Sequence, residues 1–395
     1  MSPAILVTNQ ADWEEIAAKL DRETEFALDT ESNSLHCYRE RVCLIQIGTK
    51  EETFLLDPLA VDDLSSLGRL LADPAIVKVL HGSDYDLRSL NRDYGFTIQG
   101  LFDTQVAARF LGSTSPNLAW VLKDSLGISI PKSRRMQTSD WGRRPLSSPA
   151  IEYAANDVAY LVAVAANLRE RLLQVGRSAW VEEECQRMQR TKYSPPQPSE
   201  VTFLRVKGSD RLTPRELAIL KELFLAREEA AVRLDCPPFK VLSNEVLVRI
   251  SQSYSTSHTP LLEGEGIAGL SPLEGRRWST LIRAAIARGQ QGPEYHRPPR
   301  ERRGRSWTPE AKGRLQRFKQ WRSARGDALG LDPALLWPTA SLERWALRGA
   351  LDGTAPTGGG ENSRPAVPSA DDPEVRGWQR REFEAELEAI DRMPL

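Results

Sequence analysis

The chain is poor in the residues that build several kinds of site. Its 395 residues include four histidines and only four cysteines, Cys37, Cys43, Cys185 and Cys236. No CxxC pair occurs, which argues against a zinc site and against a thioredoxin-like motif; such sparse thiols suit a reducing compartment. No uninterrupted apolar run reaches the ~18 residues of a membrane span. The richest, "VAYLVAVAANL" after Asp157, reads as a buried helix. The opening "MSPAILVTNQADWEEI" lacks the basic start and apolar core of a signal peptide, so the expectation is a soluble, cytoplasmic protein. Net charge is also missing, since 53 Lys and Arg nearly cancel 54 Asp and Glu.

What is present is enough apolar sequence, 40%, to build real cores, over a length that implies two or three domains. The first part alternates in an α/β manner. "ADWEEIAAKL" (11–20) has helical spacing, "EFALDTES" (25–32) and "RVCLIQIGT" (41–49) read as strands, and "ETFLLDP" (52–58) returns after a turn. "LSSLGRLLAD" reads as a helix and "AIVKVLHG" (75–82) as a further strand. From Tyr85 the pattern turns helical, through "FDTQVAARFLG" and "NLAWVLKDSLG" to one long helix from about Pro149 to Leu173. This predicts a mixed central sheet flanked by helices.

"KYSPPQPSE" (192–200) is a Pro-rich break, and beyond it the pattern is purely helical. A weak internal repeat sets 212–250 against 307–345, matching Thr213-Pro214 with Thr308-Pro309, Leu234-Asp235 with Leu331-Asp332, and Val246 with Leu342. The expected layout is an α/β domain over 1–192, a linker 193–207, a helical domain 208–292, a basic linker 293–304 and a second, divergent helical domain 305–395. The insertion 352–374 has a flexible composition. Between Arg297 and Arg325 stand 11 Arg or Lys against 2 Glu, interleaved with Trp307, Phe318 and Trp321. That is either a solvated helix face or a nucleic-acid contact.

Asp29 and Glu31 stand one residue apart at the end of an apolar strand, so both point to one face. Two like charges that close need a basic side chain, a shared proton or a metal ion between them. Asp84 and Asp86 follow another strand in "VLHGSDYDLRSL", where open α/β sheets carry their sites. Tyr153 and Asp157 lie four apart on one helical face, with Asp157 among alanines, where an unpaired charge is costly. Each has a bland reading as a cap, a turn residue or a hydrogen-bonded pair. Four carboxylates without matching His or Cys suit Mg²⁺ or Mn²⁺, and two such ions ~4 Å apart can support phosphodiester cleavage.

The order "LDTES", "HGSDYDL", "YAANDVAYL" resembles the three exonuclease motifs of the DEDD superfamily, in the branch with a Tyr-x-x-x-Asp third motif. "QTSDWGRRPLSSPAIEYAANDVAYL" is similar to the ribonuclease D family. The likeness is close over residues 1 to about 180, and the repeat resembles the helicase-and-RNase-D C-terminal (HRDC) domain, with "CPPFKVLSNEVL" its clearest segment. The resemblance implies an α/β RNase-H-like exonuclease domain followed by two all-α HRDC-like domains. It implies 3′→5′ hydrolysis releasing 5′-mononucleotides, with two divalent ions, Mg²⁺ or Mn²⁺, on Asp29, Glu31, Asp86 and Asp157.

Tyr153 would orient the attacking water, because a free phenol with a pKa near ~10 is a poor general base. The spacing from His81 favours Asp86 over Asp84, and His81 is a candidate nucleic-acid contact. Asp103 in "LFDTQ" is read as a helix N-cap or a support for the site. The family usually carries a lysine shortly before "SDW"; here Lys132 lies at a longer spacing with Arg134 and Arg135 between, so any of the three is a candidate phosphate contact. The implied partner is RNA with a single-stranded 3′ end, tRNA precursors or other small structured RNAs above all, bound by a monomer. A DNA exonuclease, an inactive nucleic-acid-binding scaffold and a small-molecule phosphatase are the alternatives.

Overall fold

The structure is a computed structural model that describes residues 3–131, 133–195, 201–255, 270, 272–298, 307–348 and 372–393. Lys132, most of the insertion 352–374 and parts of both expected linkers lie outside the described residues.

The first part runs β1 (Ile5–Val7), α1 (Gln10–Leu20), β2 (Glu25–Ser32), β3 (Val42–Gly48), β4 (Thr53–Leu56), α2 (Ser65–Ala72), β5 (Val77–Leu80), α3 (Asp84–Tyr94), β6 (Leu101–Asp103) and α4 (Thr104–Phe110). The strands form one six-stranded sheet in the order β1-β4-β3-β2-β5-β6. β3 runs antiparallel to β2 and β4, and the other pairings are parallel. Thr49 closes the β3–β4 turn by accepting from the amides of Glu51 (3.2 Å) and Glu52 (3.0 Å). Every residue of β3 is buried, as expected of a central strand covered on both faces. The short edge strands β1 and β6 carry too few residues to show a period, and "FDT", which reads as helical, supplies the last two residues of β6.

Five helices follow: α5 (Leu118–Leu126), α6 (Arg134–Gln137), α7 (Ser148–Val158), α8 (Leu161–Gln174) and α9 (Ser178–Met188). The single helix expected from Pro149 to Leu173 is two, broken at Ala159 and Tyr160. The break lets α7 cross β2, β3 and β4 while α8 packs on β2, β5, α4 and α5.

The remainder is helical: α10 (Pro214–Arg233), α11 (Pro238–Val241), α12 (Asn244–Ser253) and α13 (Pro272–Gln291), then α14 (Pro309–Leu329), α15 (Pro333–Leu336), α16 (Thr339–Arg348) and α17 (Gly377–Asp391). The two runs share one element order. Thr213 and Thr308 cap α10 and α14, each with proline at the first helical position. The buried fourth residue is Leu247 in α12 and Leu342 in α16. Leu342 therefore corresponds to Leu247, one place beyond the Val246 that the sequence repeat pairs with it.

α10–α13 close a core of their own, whereas Phe318, Trp337, Trp345, Trp378 and Phe383 belong to the same continuous core as the sheet. Trp378 stacks on Trp180 of α9 at 4.7 Å between ring centres. Phe318 is thus interior, and Trp307 and Trp321 are partly buried against that core. Arg314 pairs with Asp391 and Arg325 with Glu386. Among the described residues no helix is long and apolar enough to cross a membrane.

Candidate active site

Asp29 and Glu31 leave the same face of β2, where the register sets Asp29 opposite Gln46 and Glu31 opposite Leu44. A bulge between Glu31 and Ser32 ends the regular pairing. On this face Leu44 and Leu55 pack with Ala150 and Ala154 of α7, and Ala27 packs with Val158. Gly48 sets how closely the helix lies. A Cβ there would stand 2.7 Å from the Val158 carbonyl oxygen, so a side chain would lift α7 and with it Tyr153 and Asp157. Ser147 starts α7, its Oγ accepting from the Ala150 amide at 3.4 Å.

The third acid comes from the first turn of α3. Asp86 is buried and accepts from Thr30 Oγ1 at 2.5 Å, which fastens it to the strand between Asp29 and Glu31. Asp84 is exposed and pairs with Arg88 one turn on, at 2.9 Å. Asp103 is the N-cap of α4 and fully buried. It accepts from the amides of Gly82 (3.1 Å), Ser83 (2.7 Å), Gln105 (2.9 Å) and Val106 (3.1 Å), and from Ser83 Oγ (2.8 Å). Of its two expected roles it takes both, capping α4 and fixing the turn that presents Asp86.

The carboxylates feel one another. Asp29 is held well above the usual carboxylate range by loss of water, then by the charges of Asp86, Asp157 and Glu31. Burial, with Asp157 and Asp86 beside it, pushes Glu31 up to about 9. Burial raises Asp86 to about 7 against the opposing Thr30 hydrogen bond, and raises Asp157 to about 7. Among the described residues none of the four has a lysine or arginine partner. Nor, among them, is any group of three His, Cys, Asp or Glu already drawn together at metal-ligand spacing. An all-oxygen set with excess negative charge fits a hard divalent cation, whose charge would favour the ionised carboxylates against burial and repulsion.

Tyr153 is pushed above the ordinary phenol range by burial and by Asp157 and Glu31, with Gln137 opposing. It stays a neutral phenol at physiological pH. Its ring lies 6.2 Å from that of buried Trp141. A cleft of about 300 Å³ is lined by Arg135, Met136, Glu152, Tyr153, Asn156 and Asp157.

Of the basic candidates, Arg135 lines this cleft, Arg134 is exposed, and Lys132 lies outside the described residues. His81 turns inward: Thr104 Oγ1 donates to the Leu80 carbonyl and so accepts from His81 Nδ1 at 2.9 Å. Burial lowers the His81 pKa.

The loop before α7 is tied down by groups that sequence reasoning passed over. Arg144 forks onto buried Asp57, with 2.7 Å from Nη2 to Oδ1 and 2.5 Å from Nε to Oδ2, and also donates to the Cys43 carbonyl at 2.7 Å. Gln46 and Gly48 were equally hidden. The available signal was a polar residue, Gln46, inside the apolar run "VCLIQI".

A mixed sheet with acids on its second strand, on the helix after its fifth and on a helix crossing its face defines a 3′→5′ exonuclease domain, and the 3′-5′ exonuclease family profile matches residues 4–173. The HRDC domain profile matches residues 216–269. Ribonuclease D of Granulibacter bethesdensis is 33% identical over 360 residues, 89% of this chain and 88% of that one. Ribonuclease D of Gluconacetobacter diazotrophicus is 30% identical over 390 residues, 98% and 92% of the two chains. The crystal structure of Escherichia coli RNase D matches 98% of both chains with a TM-score of 0.67 at 24% identity, a likeness of fold. This chain belongs to the ribonuclease D family of 3′→5′ exoribonucleases.

Proposed function

We propose that this exoribonuclease trims the single-stranded 3′ ends of structured RNAs, tRNA precursors foremost, with two divalent ions, Mg²⁺ or Mn²⁺, held by Asp29, Glu31, Asp86 and Asp157. The observation that carries this reading is the convergence of four carboxylates, Asp29 and Glu31 each close enough to feel the charges of Asp86 and Asp157, with no basic partner among the described residues. When bound, such ions acidify a water and stabilise the leaving oxygen. Water adds across the terminal P–O bond, releasing a 5′-mononucleotide and leaving a new 3′-hydroxyl.

Tyr153 donates a hydrogen bond that orients the water, a role that suits a phenol held protonated. Arg135, with Lys132 and Arg134 as further candidates, contacts phosphate, which supplies affinity without sequence selectivity; His81, turned inward onto Thr104, does not take that role. The domain division 1–192, 208–292 and 305–395 belongs to this reading, with the helical domains holding the body of the RNA while its 3′ tail enters the cleft. The E. coli RNase D of similar fold is described as an exoribonuclease involved in structured RNA processing, which supports the substrate class. A cytoplasmic monomer is the working state.

A gel time course tests this, using a 3′-tailed hairpin RNA, an unprocessed tRNA precursor and the DNA counterpart of the hairpin, each with Mg²⁺, Mn²⁺ or EDTA. A metal-dependent ladder shrinking from the RNA 3′ end and halting at the duplex is expected. Cleavage persisting in EDTA defeats the metal assignment, and a DNA ladder of equal rate defeats the RNA preference.

A further inference from the structure

The middle of β3 buries a polar group that the fold does not use. Gln46 is wholly inaccessible, and neither its Nε2 nor its Oε1 has a hydrogen-bond partner. A carboxamide left so inside a protein costs stability, and a leucine or methionine would fill the space without that cost. The surroundings on this sheet face are apolar along both directions of the strand. Leu44 and Leu55 lie with Ala154 on one side, and Ala27 and Gly48 with Val158 on the other. Across the strand pair Gln46 faces Asp29, and directly opposed residues bring their Cβ atoms within about 5.5 Å. The sole side-chain N–H donor that β3 sends to this face is thus set beside a carboxylate that itself has no charged partner among the described residues.

We propose that Gln46 is a positioning residue for the loaded site, donating from Nε2 to the Asp29 carboxylate and fixing which of its oxygens turns toward the cations. Its place opposite Asp29 on the neighbouring strand gives a use to an amide that has no other hydrogen-bond partner. The proposal rests on the reading of Asp29 as a metal ligand.

The test compares Gln46→Met, which keeps volume and removes the donor, with Gln46→Asn, which keeps a shortened amide, and with Asp29→Asn. Mn²⁺ affinity is read by titration of the free protein, cleavage by single-turnover kinetics on the tailed hairpin, and folding by melting in EDTA. Gln46→Met is expected to melt no lower than the parent, to bind Mn²⁺ about 10- to 100-fold more weakly, and to cleave more slowly by a similar factor with unchanged half-saturating RNA. If it fails to fold, Gln46→Asn is expected to shift affinity and rate in the same direction by a smaller factor. A folded Gln46 variant whose Mn²⁺ affinity and rate stay within about twofold of the parent overturns the proposal, as does a lower melting temperature with unchanged metal binding. Asp29→Asn separates the two failures. If it loses Mn²⁺ and cleavage while the Gln46 variants lose neither, only the Gln46 role falls; if it keeps both, the site reading falls and takes the Gln46 role with it.

Discussion

Asp29, Glu31, Asp86 and Asp157 each cost the metal-free fold something once ionised. Their folded pKa values stand above the ~4 of an unfolded chain, so the folded state holds more protons, and stability present at low pH is lost as pH rises. The loss runs from about pH 4 through about 7, where Asp86 and Asp157 titrate, to about 9 for Glu31. In EDTA the melting temperature is therefore expected to fall between pH 5 and 9, and Mn²⁺ to restore more of it at pH 8 than at pH 5; scanning calorimetry at fixed ionic strength checks this. Asp29→Asn should cut turnover by roughly 10³-fold while sparing RNA binding, and should raise the EDTA melting temperature at pH 8 by about 2–4 °C. A variant with near-normal turnover would remove Asp29 from the mechanism. Asp103→Ala should cost about 3 kcal/mol or more in urea unfolding, because it strips the α4 cap and leaves the Gly82 and Ser83 amides without an acceptor. At this scale the sequence spoke well where the signal is local. The i, i+2 alternation of Asp29 and Glu31 and the i, i+4 spacing of Tyr153 and Asp157 survive translation into structure. The choice of Asp86 over Asp84 came from family spacing; in the structure Asp86 is buried on Thr30 Oγ1, while Asp84 is exposed and paired with Arg88.

At the level of elements, the site depends on how closely α7 lies on the sheet. Gly48→Ala puts a methyl 2.7 Å from the Val158 carbonyl; it is expected to cost about 1–3 kcal/mol and to lower turnover by up to roughly 10²-fold through displacement of Asp157. Denaturant melts and single-turnover rates check both numbers, and an unchanged rate would show that α7 tolerates the shift. The sequence could not announce this contact, because a glycine at a strand end is equally consistent with an ordinary turn. It also merged α7 and α8, whose shared apolar character hides a break that only their different packing partners require. The edge strands β1 and β6 were missed since three residues cannot display a period of two.

Across the whole molecule, the two helical runs have unequal attachments. α14–α17 complete the core of the nuclease domain through Trp378, Phe383 and Trp180. α10–α13 keep their own core, against which Tyr38 of the loop after β2 packs, with Asp235 Oδ1 accepting from the Tyr38 amide at 3.1 Å and Glu228 from the Tyr38 hydroxyl at 3.3 Å. Trp378→Ala is expected to destabilise the nuclease domain itself by about 3–5 kcal/mol, read as a loss of melting temperature and of activity at 37 °C together. If only the far helices melted earlier while nuclease activity held, the shared core would be without consequence.

The sequence by itself determined the α/β-then-helical order, the shared strand face of Asp29 and Glu31, the shared helix face of Tyr153 and Asp157, and the helical repeat, since these rest on periodicity and spacing along the chain. The tertiary structure alone decided that Gln46 faces Asp29, that Gly48 admits α7, that Arg144 anchors the preceding loop and that Phe318 lies inside a core against which Trp307 and Trp321 pack. Those outcomes depend on which faces of distant segments meet, and a linear pattern of residue types does not contain that information until the segments are packed.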